Sequence, residues 1–433
     1  DHRDLHSFPT RRSSDLLYSW SPLYIYRLHF GILLIIKGEK LFSPLHLKIT
    51  ITMTYIKSIP IIVLIGIFIS CSKYEGNYKN DAVKIEIQNN DPNEFNYTQI
   101  IDSVEITQLE TNENSIIGGI LKIVFKHQKV FILDRNHNLL IFEESGKFFS
   151  KLNKRGKGPG EYIELRDFFI TEDGNILILT WKKILTYNIH LECIDEFIFN
   201  IKTDTGRELN PIFFMPFKQN YYFFMGSFGM TNVSTEKEMA LFCINRQKKI
   251  LKQFFPVEYN SSHLHRMFYN SNNKVYYTNG YGNDTIYEIK NIEVQPIFII
   301  DFKNKKINKY DMMGGDRAKL FNSIWEEELQ GNISNIFESD EYLCFKFSHG
   351  RTIKQVVFNK KSKNHKVVNV RKSLPFPAIV VAGVVDNSFF SIVEPYMILQ
   401  MNSDHIYDEL ISNCEIKETD NPLIFKYKFK NIK

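Results

Sequence analysis

The residues best suited to chemistry gather in one stretch, Lys154-Arg155-Gly156-Lys157-Gly158-Pro159-Gly160-Glu161-Tyr162. Its glycines and proline exclude a helix interior or a central strand, so the stretch must be a tight loop. Arg155 and Lys157 can meet an anionic group there, and Glu161 and Tyr162 can hydrogen-bond a ligand. The plainer roles are solvated charge for the two cations and a loop anchor for Tyr162. Two aromatic residues in turn regions, Trp181 and Tyr281, offer flat faces to a sugar ring or a peptide side chain, with packing as the alternative. Arg351 has the fork geometry to take a carboxylate bidentately, or it is a solvated turn charge. His263 and His265 have alternate-residue spacing that suits a metal, but no cysteine or acidic motif lies near them, so no metal is expected. Asp134-Arg135-Asn136-His137-Asn138 carries oxygen ligands yet lacks the glycine and closing glutamate of a calcium loop, and reads as a hairpin turn.

Motifs of enzyme chemistry are missing. There is no nucleophile elbow, zinc-protease helix, P-loop or dinucleotide fingerprint. The glycine loop runs from one strand into another, so it offers no helix amino terminus for phosphate. No catalytic residue and no cofactor is assigned. Two carboxylates meeting across a central channel would supply an acid and a base, so a saccharide hydrolase or lyase stays open behind a non-enzymatic reading.

The elements that position these residues are strands. Phe (36) and Tyr (22) dominate an aromatic content of 14%, which favours strands over helices. Apolar runs of strand length recur between turn signals. Four such runs follow the glycine loop, at 165–171, 175–180, 184–189 and 193–199, and short turns join them as in one propeller blade. The same plan is read at 120–152, 211–257, 266–301 and 334–370. A last unit, 378–429, lacks a fourth strand, while 102–109 is left over at the other end. Pairing the two closes a ring and removes its exposed edges. Anchors at Ile123, Phe168, Phe213, Phe268, Ile336 and Val380 mark the repeat. The fold class is therefore all-β: a six-bladed β-propeller over 98–433, closed by an N-terminal strand joining the last blade, with short helical insertions in the loops of one face. Helices are expected over 316–330 (Ala318, Phe321, Ile324, Trp325 and Leu329 on one stripe) and over 397–411.

Residues 4–16 resemble the translation of a sequencing-library adapter, and 1–52 is read as lying outside the mature protein. Met53 then opens a signal peptide over 53–70, with Lys57 before the apolar run 59–69. Phe68-Ile69-Ser70-Cys71 resembles a bacterial lipobox, which makes Cys71 the lipidation site and 71–97 a tether. The formal net charge of +5 falls to about +1 without the first 70 residues, and so nearly neutral a body gives no nucleic-acid footprint. Cys193, Cys243 and Cys344 fall inside strands of different blades and are expected to be buried free thiols.

The lipobox, the strand spacing, the glycine loop, Asn283-Asp284-Thr285-Ile286-Tyr287 and Asn421-Pro422 together resemble the six-bladed β-propeller lipoproteins of Bacteroidetes-type bacteria, relatives of NHL and TolB-like propellers. That resemblance implies an envelope lipoprotein, lipid-anchored on the periplasmic or surface side of the outer membrane. First-to-second strand turns are uniformly short, whereas the opposite face has long, varied loops, and these include every candidate above. Binding is expected on that face, with a glycan, a peptide or an outer-membrane protein as partner, or the domain serves as a scaffold of an outer-membrane complex.

Overall fold

The computed structural model describes residues 82–87, 97–204, 206–218, 220–224, 239–256, 268–271, 273–279, 282–307, 317–370, 380–401, 411 and 414–430. Cys71, Tyr281, His263 and His265 lie outside these residues.

The strands assemble into six sheets, each with a four-stranded antiparallel meander. Blade 1 is Ile120–Lys126, Lys129–Asp134, Leu139–Glu143 and Phe148–Leu152; blade 2 is Asp167–Ile170, Ile176–Leu179, Lys183–Tyr187 and Cys193–Ile198. Blade 3 is Phe213–Phe217, Asn220–Phe224, Met239–Asn245 and Ile250–Pro256; blade 4 is Phe268–Ser271, Lys274–Tyr277, Thr285–Lys290 and Glu293–Asp301. Blade 5 is Gln330–Glu338, Tyr342–His349, Thr352–Asn359 and His365–Asn369. Blade 6 takes Val381–Val385, Ser388–Val393 and Leu423–Phe429 from the carboxyl end, and Ile101–Gln108 from the amino end. The first strands of successive blades neighbour one another all the way round, and the last returns to the first. The chain is a six-bladed β-propeller.

Why these sequences fold this way is visible in the packing. Apolar clusters sit between successive blades, such as Phe131 and Leu133 of blade 1 against Phe168 and Ile178 of blade 2, or Tyr276 and Ile286 of blade 4 against Leu343 and Phe345 of blade 5. A middle strand is covered on both sides, so Leu139, Leu140, Ile141 and Phe142 are all buried and read as a continuous apolar run. Tight hairpins join the strands. His127-Gln128 (φ 53 and 57) and Asp386-Asn387 (φ 47 and 60) are left-handed at both positions, the geometry of a two-residue turn that matches strand twist.

Closure joins Ile101–Gln108 antiparallel to Leu423–Phe429, from Ile101 opposite Phe429 to Gln108 opposite Leu423. Asn421, buried, bolts the loop that follows: its Nδ2 donates to the carbonyls of Glu110 and Ser115 at 2.8 and 2.9 Å, and its Oδ1 accepts from Ile117 N at 3.0 Å. The Asn421-Pro422 pair thus has a structural job. In the inner ring, Lys122 of blade 1 reaches Asp167 of blade 2 at 2.9 Å, both buried. The same carboxylate accepts Phe168 N at 2.9 Å and Phe214 N of blade 3 at 3.3 Å.

One strand departs from expectation. Val83–Glu86, inside the stretch read as a tether, pairs in parallel with the outermost strand of blade 4, Val83 opposite Phe298 and Glu86 opposite Asp301. Ile85 and Ile87 are buried between blades 4 and 5, so the propeller takes in part of the 71–97 segment. Lys84 meets Asp301 at 2.7 Å, and Lys303 meets Glu86 at 2.8 Å. Hydrogen bonds from Lys84 and then Lys303 hold the Asp301 carboxyl well below the usual carboxylate range.

Helical insertions are Arg317–Glu326 and Pro395–Met401. The first is shorter than expected because the chain is already a strand at Gln330. The second begins two residues early, at a proline whose fixed φ suits a first helical position. Ile324 is buried, but Trp325 is 40% exposed and leaves the buried stripe expected of it. No helix among the described residues is long and apolar enough to cross a membrane.

Cys243 and Cys344 are buried free thiols, while Cys193 is exposed. It opens the outermost strand of blade 2 at an irregularity in pairing, beside the backbone of Gly160. Burial pushes the Cys243 and Cys344 thiols above their ordinary pKa. Native protein should therefore react first at Cys193 with a thiol reagent, and Cys243 and Cys344 should react only after denaturation. Prompt labelling of Cys344 in native protein would contradict the packing between blades 5 and 6.

Candidate ligand face

In each blade the first-to-second and third-to-fourth turns lie at one end of the ring. Second-to-third turns and blade-to-blade connections lie at the other. The glycine loop, Trp181, Arg351 and both helical insertions share this second, loop-rich face.

The glycine loop is built around Glu161. Its carboxylate folds back to accept Gly158 N at 2.8 Å. A Cβ on Gly156 would stand 1.9 Å from Glu161 Oε2, so glycine is what leaves room for that carboxylate. Tyr162 closes the loop from beneath: its N–H donates to Lys154 O at 3.0 Å, its O accepts Gly156 N at 3.1 Å, and its hydroxyl donates to Leu152 O at 3.0 Å. With 1% exposure, Tyr162 is an anchor, and burial raises its hydroxyl pKa. Tyr187, also buried, donates to Gly160 O at 2.7 Å. Glu161 and Tyr162 are thereby committed to shaping the loop. Arg155 is exposed and donates to Asn136 O in the turn of blade 1; Lys157 is exposed on the loop. The 134–138 stretch is the expected hairpin turn, with buried Asp134 accepting Asn138 N at 2.8 Å and Gly118 N at 3.1 Å.

The aromatic residues are placed differently. Trp181 is 57% exposed, and the Arg166 guanidinium stands 5.5 Å from its ring. Arg166 is itself held by Pro211 O at 3.1 Å and Glu164 at 3.3 Å. Arg351 lies 5.0 Å from the ring of Trp325. Each guanidinium–ring contact contributes about 0.5–1 kcal/mol at an exposed site. Arg166 and Trp325 were not among the sequence candidates. A lone arginine after the loop carries no signal, and a helical stripe count cannot tell which of its members turns outward. Ile163 and Ile116 in loops, and Tyr396 and Leu399 on the Pro395–Met401 helix, are further exposed apolar residues of this face.

An open cavity of about 470 Å³ lies where the rims of blades 6 and 1 meet, lined in part by Glu110, Lys147, Glu415, Lys417 and Asp420. Two of its carboxylates are engaged in loop structure: Glu110 accepts Phe148 N at 2.8 Å and Asn112 at 2.8 Å, and Asp420 accepts Lys417 N at 2.8 Å. The backbone bond from Phe148 holds Glu110 below the usual range, the opposite of what a general acid needs. Burial raises Glu394, but no neighbouring charge contributes to that shift. Among the described residues no cluster of His, Cys, Asp and Glu could hold a metal.

Among curated proteins nothing matches the chain. A solved structure of a Bacteroides fragilis protein described as exported is similar over 81% of this chain and 99% of its own, at 18% identity and a TM-score of 0.64. The extracellular domain of a hybrid two-component system from B. thetaiotaomicron aligns with 67% of this chain and 34% of its own, at 13% identity and a TM-score of 0.36. The chain thus spans about a third of that second structure. The family model described as "Domain of unknown function (DUF4934)" matches residues 81–428, from just before the fifth strand of blade 4 to the closing strand of blade 6. That span is the whole propeller, and the chain belongs to the DUF4934 family.

Proposed function

We propose that this propeller is a binding module of the cell envelope, held at a membrane through lipidated Cys71, and that it takes a glycan or peptide on its loop-rich face. The observation that carries this reading is the pair of exposed tryptophans there, Trp181 and Trp325, each beneath a guanidinium. Flat rings braced on one side by arginine suit the apolar face of a sugar or an aromatic side chain. Arg155 and Lys157, on the loop before blade 2, add positive charge on the side of Trp181, and Arg351 on the side of Trp325. The lipobox-like stretch and a structural neighbour described as exported support the envelope setting. A saccharide hydrolase draws no support from Glu110 and Asp420, whose carboxylates hold loop structure. The exposed apolar residues in the loops and helix of this face, Ile163 at 72% above all, favour a protein partner as the second reading.

A thermal-shift screen of the full chain against oligosaccharides and peptides tests this. A ligand at 100 times its dissociation constant should add about 2.7 kcal/mol of stability. Trp181→Ala or Trp325→Ala should weaken that ligand about tenfold, or about 1.4 kcal/mol. A hit whose affinity is unchanged in both variants contradicts the assignment of the face.

A further inference from the structure

A second place in the molecule collects polar side chains whose hydrogen-bonding capacity is only partly used. Ser334, Lys346 and Gln355 stand directly opposite one another across the first three strands of blade 5. Directly opposed residues point to the same side of a sheet, their Cβ atoms about 5 Å apart. Cys344 and Val357, two residues along on the same side, pack against Val381, Phe389 and Tyr427, so the row points into the wedge between blades 5 and 6. Gln355 is 1% exposed. Its Oε1 accepts Val381 N at 3.0 Å, which fixes the amide, and its Nε2 is a buried donor with no partner. From blade 6, Ser391 and Tyr427 share a hydroxyl–hydroxyl contact of 2.9 Å on the same wedge. One of those two protons is left over for a further acceptor.

Lys346 sits in the middle of this row, part-buried. Burial alone lowers its amine from the ordinary lysine range, with no carboxylate contributing. A cation desolvated without a counter-charge is costly, and a buried amide donor without an acceptor costs about 1–3 kcal/mol in general. Proteins retain such groups where something else completes them.

We infer that the wedge between blades 5 and 6 binds an anionic oxygen-bearing group, with Lys346 Nζ and Gln355 Nε2 as its donors. This site is separate from the tryptophan face and stands whether or not that reading does. The ligand class is a carboxylate or a tetrahedral oxyanion, free or carried on a larger molecule.

The test uses the full chain and two variants. Lys346→Met removes the charge at nearly constant shape, and Gln355→Glu keeps the acceptor for Val381 N while giving Lys346 an internal partner. Unfolding temperature is followed with sodium acetate and with sodium sulfate, each against sodium chloride at equal ionic strength. The wild-type chain should gain about 3–5 °C at a hundredfold excess over the dissociation constant, and both variants should lose that gain. In chloride alone, Lys346→Met should melt no lower than wild type, because it relieves a desolvated charge. A gain with acetate alone assigns a carboxylate; a gain with sulfate alone assigns a tetrahedral oxyanion. No gain with either overturns the inference, as does an equal gain in Lys346→Met, which would be the general effect of salts on protein surfaces.

Discussion

Asp167→Ala will cost the propeller about 3–5 kcal/mol, the range for breaking one side of a buried ion pair. Its carboxylate meets Lys122 at 2.9 Å and also accepts the N–H groups of Phe168 and Phe214. One side chain thereby ties the inner strands of blades 1, 2 and 3. Truncation strips Lys122 of its counter-charge and leaves two buried backbone donors without that acceptor. Lys122→Met should cost less, since the carboxylate it abandons keeps its backbone donors. Urea unfolding of both single variants and the double variant gives the coupling directly. Losses below about 1 kcal/mol in both would mean that the pair is effectively solvated, against the few per cent side-chain exposure seen for each partner.

The second large effect lies in the fifth strand of blade 4. Ile85→Ala and Ile87→Ala should each cost about 2–5 kcal/mol, as for other buried isoleucines, because both side chains fill the wedge between blades 4 and 5. A flexible tether would lose nothing. By contrast, Lys84→Ala and Glu86→Ala remove exposed ion-pair partners, and their effects should be small and further reduced by salt. Thermal melts of the four variants at low and high salt separate the two classes. Wild-type stability in Ile85→Ala would show that the strand is not part of the folded unit.

Much of this architecture was legible in the sequence for a physical reason. Strands buried between blades must be apolar throughout, and tight turns must carry residues that accept their geometry. Asp386-Asn387 and Glu172-Asp173-Gly174 therefore announced hairpins, and the runs between them announced strands. Val83–Glu86 was not legible. Four residues that add in parallel to an edge leave no hairpin signal, and polar residues surround them. Lys122 and Asp167 could have been found: they are 45 positions apart, the same spacing as the anchors Ile123 and Phe168 just beside them, so the repeat itself places them in equivalent inner positions.

The site was harder to read because loop residues serve two purposes with one chemistry. Glu161 and Tyr162 looked able to bind a ligand, and both also hold the loop, one folding back on Gly158 and the other, buried, reaching Leu152. Trp181 could be either core or surface by sequence, and only its position in a second-to-third turn turns it outward. Lys346 and Gln355 read as polar members of amphipathic strands. That they share a row facing another blade is a matter of register, which no local pattern reports.

The central claim is that ligand meets the two tryptophans of the loop-rich face, and their own fluorescence tests it most directly. The chain has three tryptophans, Trp20, Trp181 and Trp325. In the full chain carrying Trp20→Phe, all indole emission comes from that face. Titration with any oligosaccharide or peptide that raises the unfolding temperature should shift or quench this emission along a saturating curve. Adding Trp181→Phe or Trp325→Phe should remove the share of the change belonging to that ring. A ligand that stabilises the fold while both rings keep their emission unchanged would place binding elsewhere on the propeller and contradict the account.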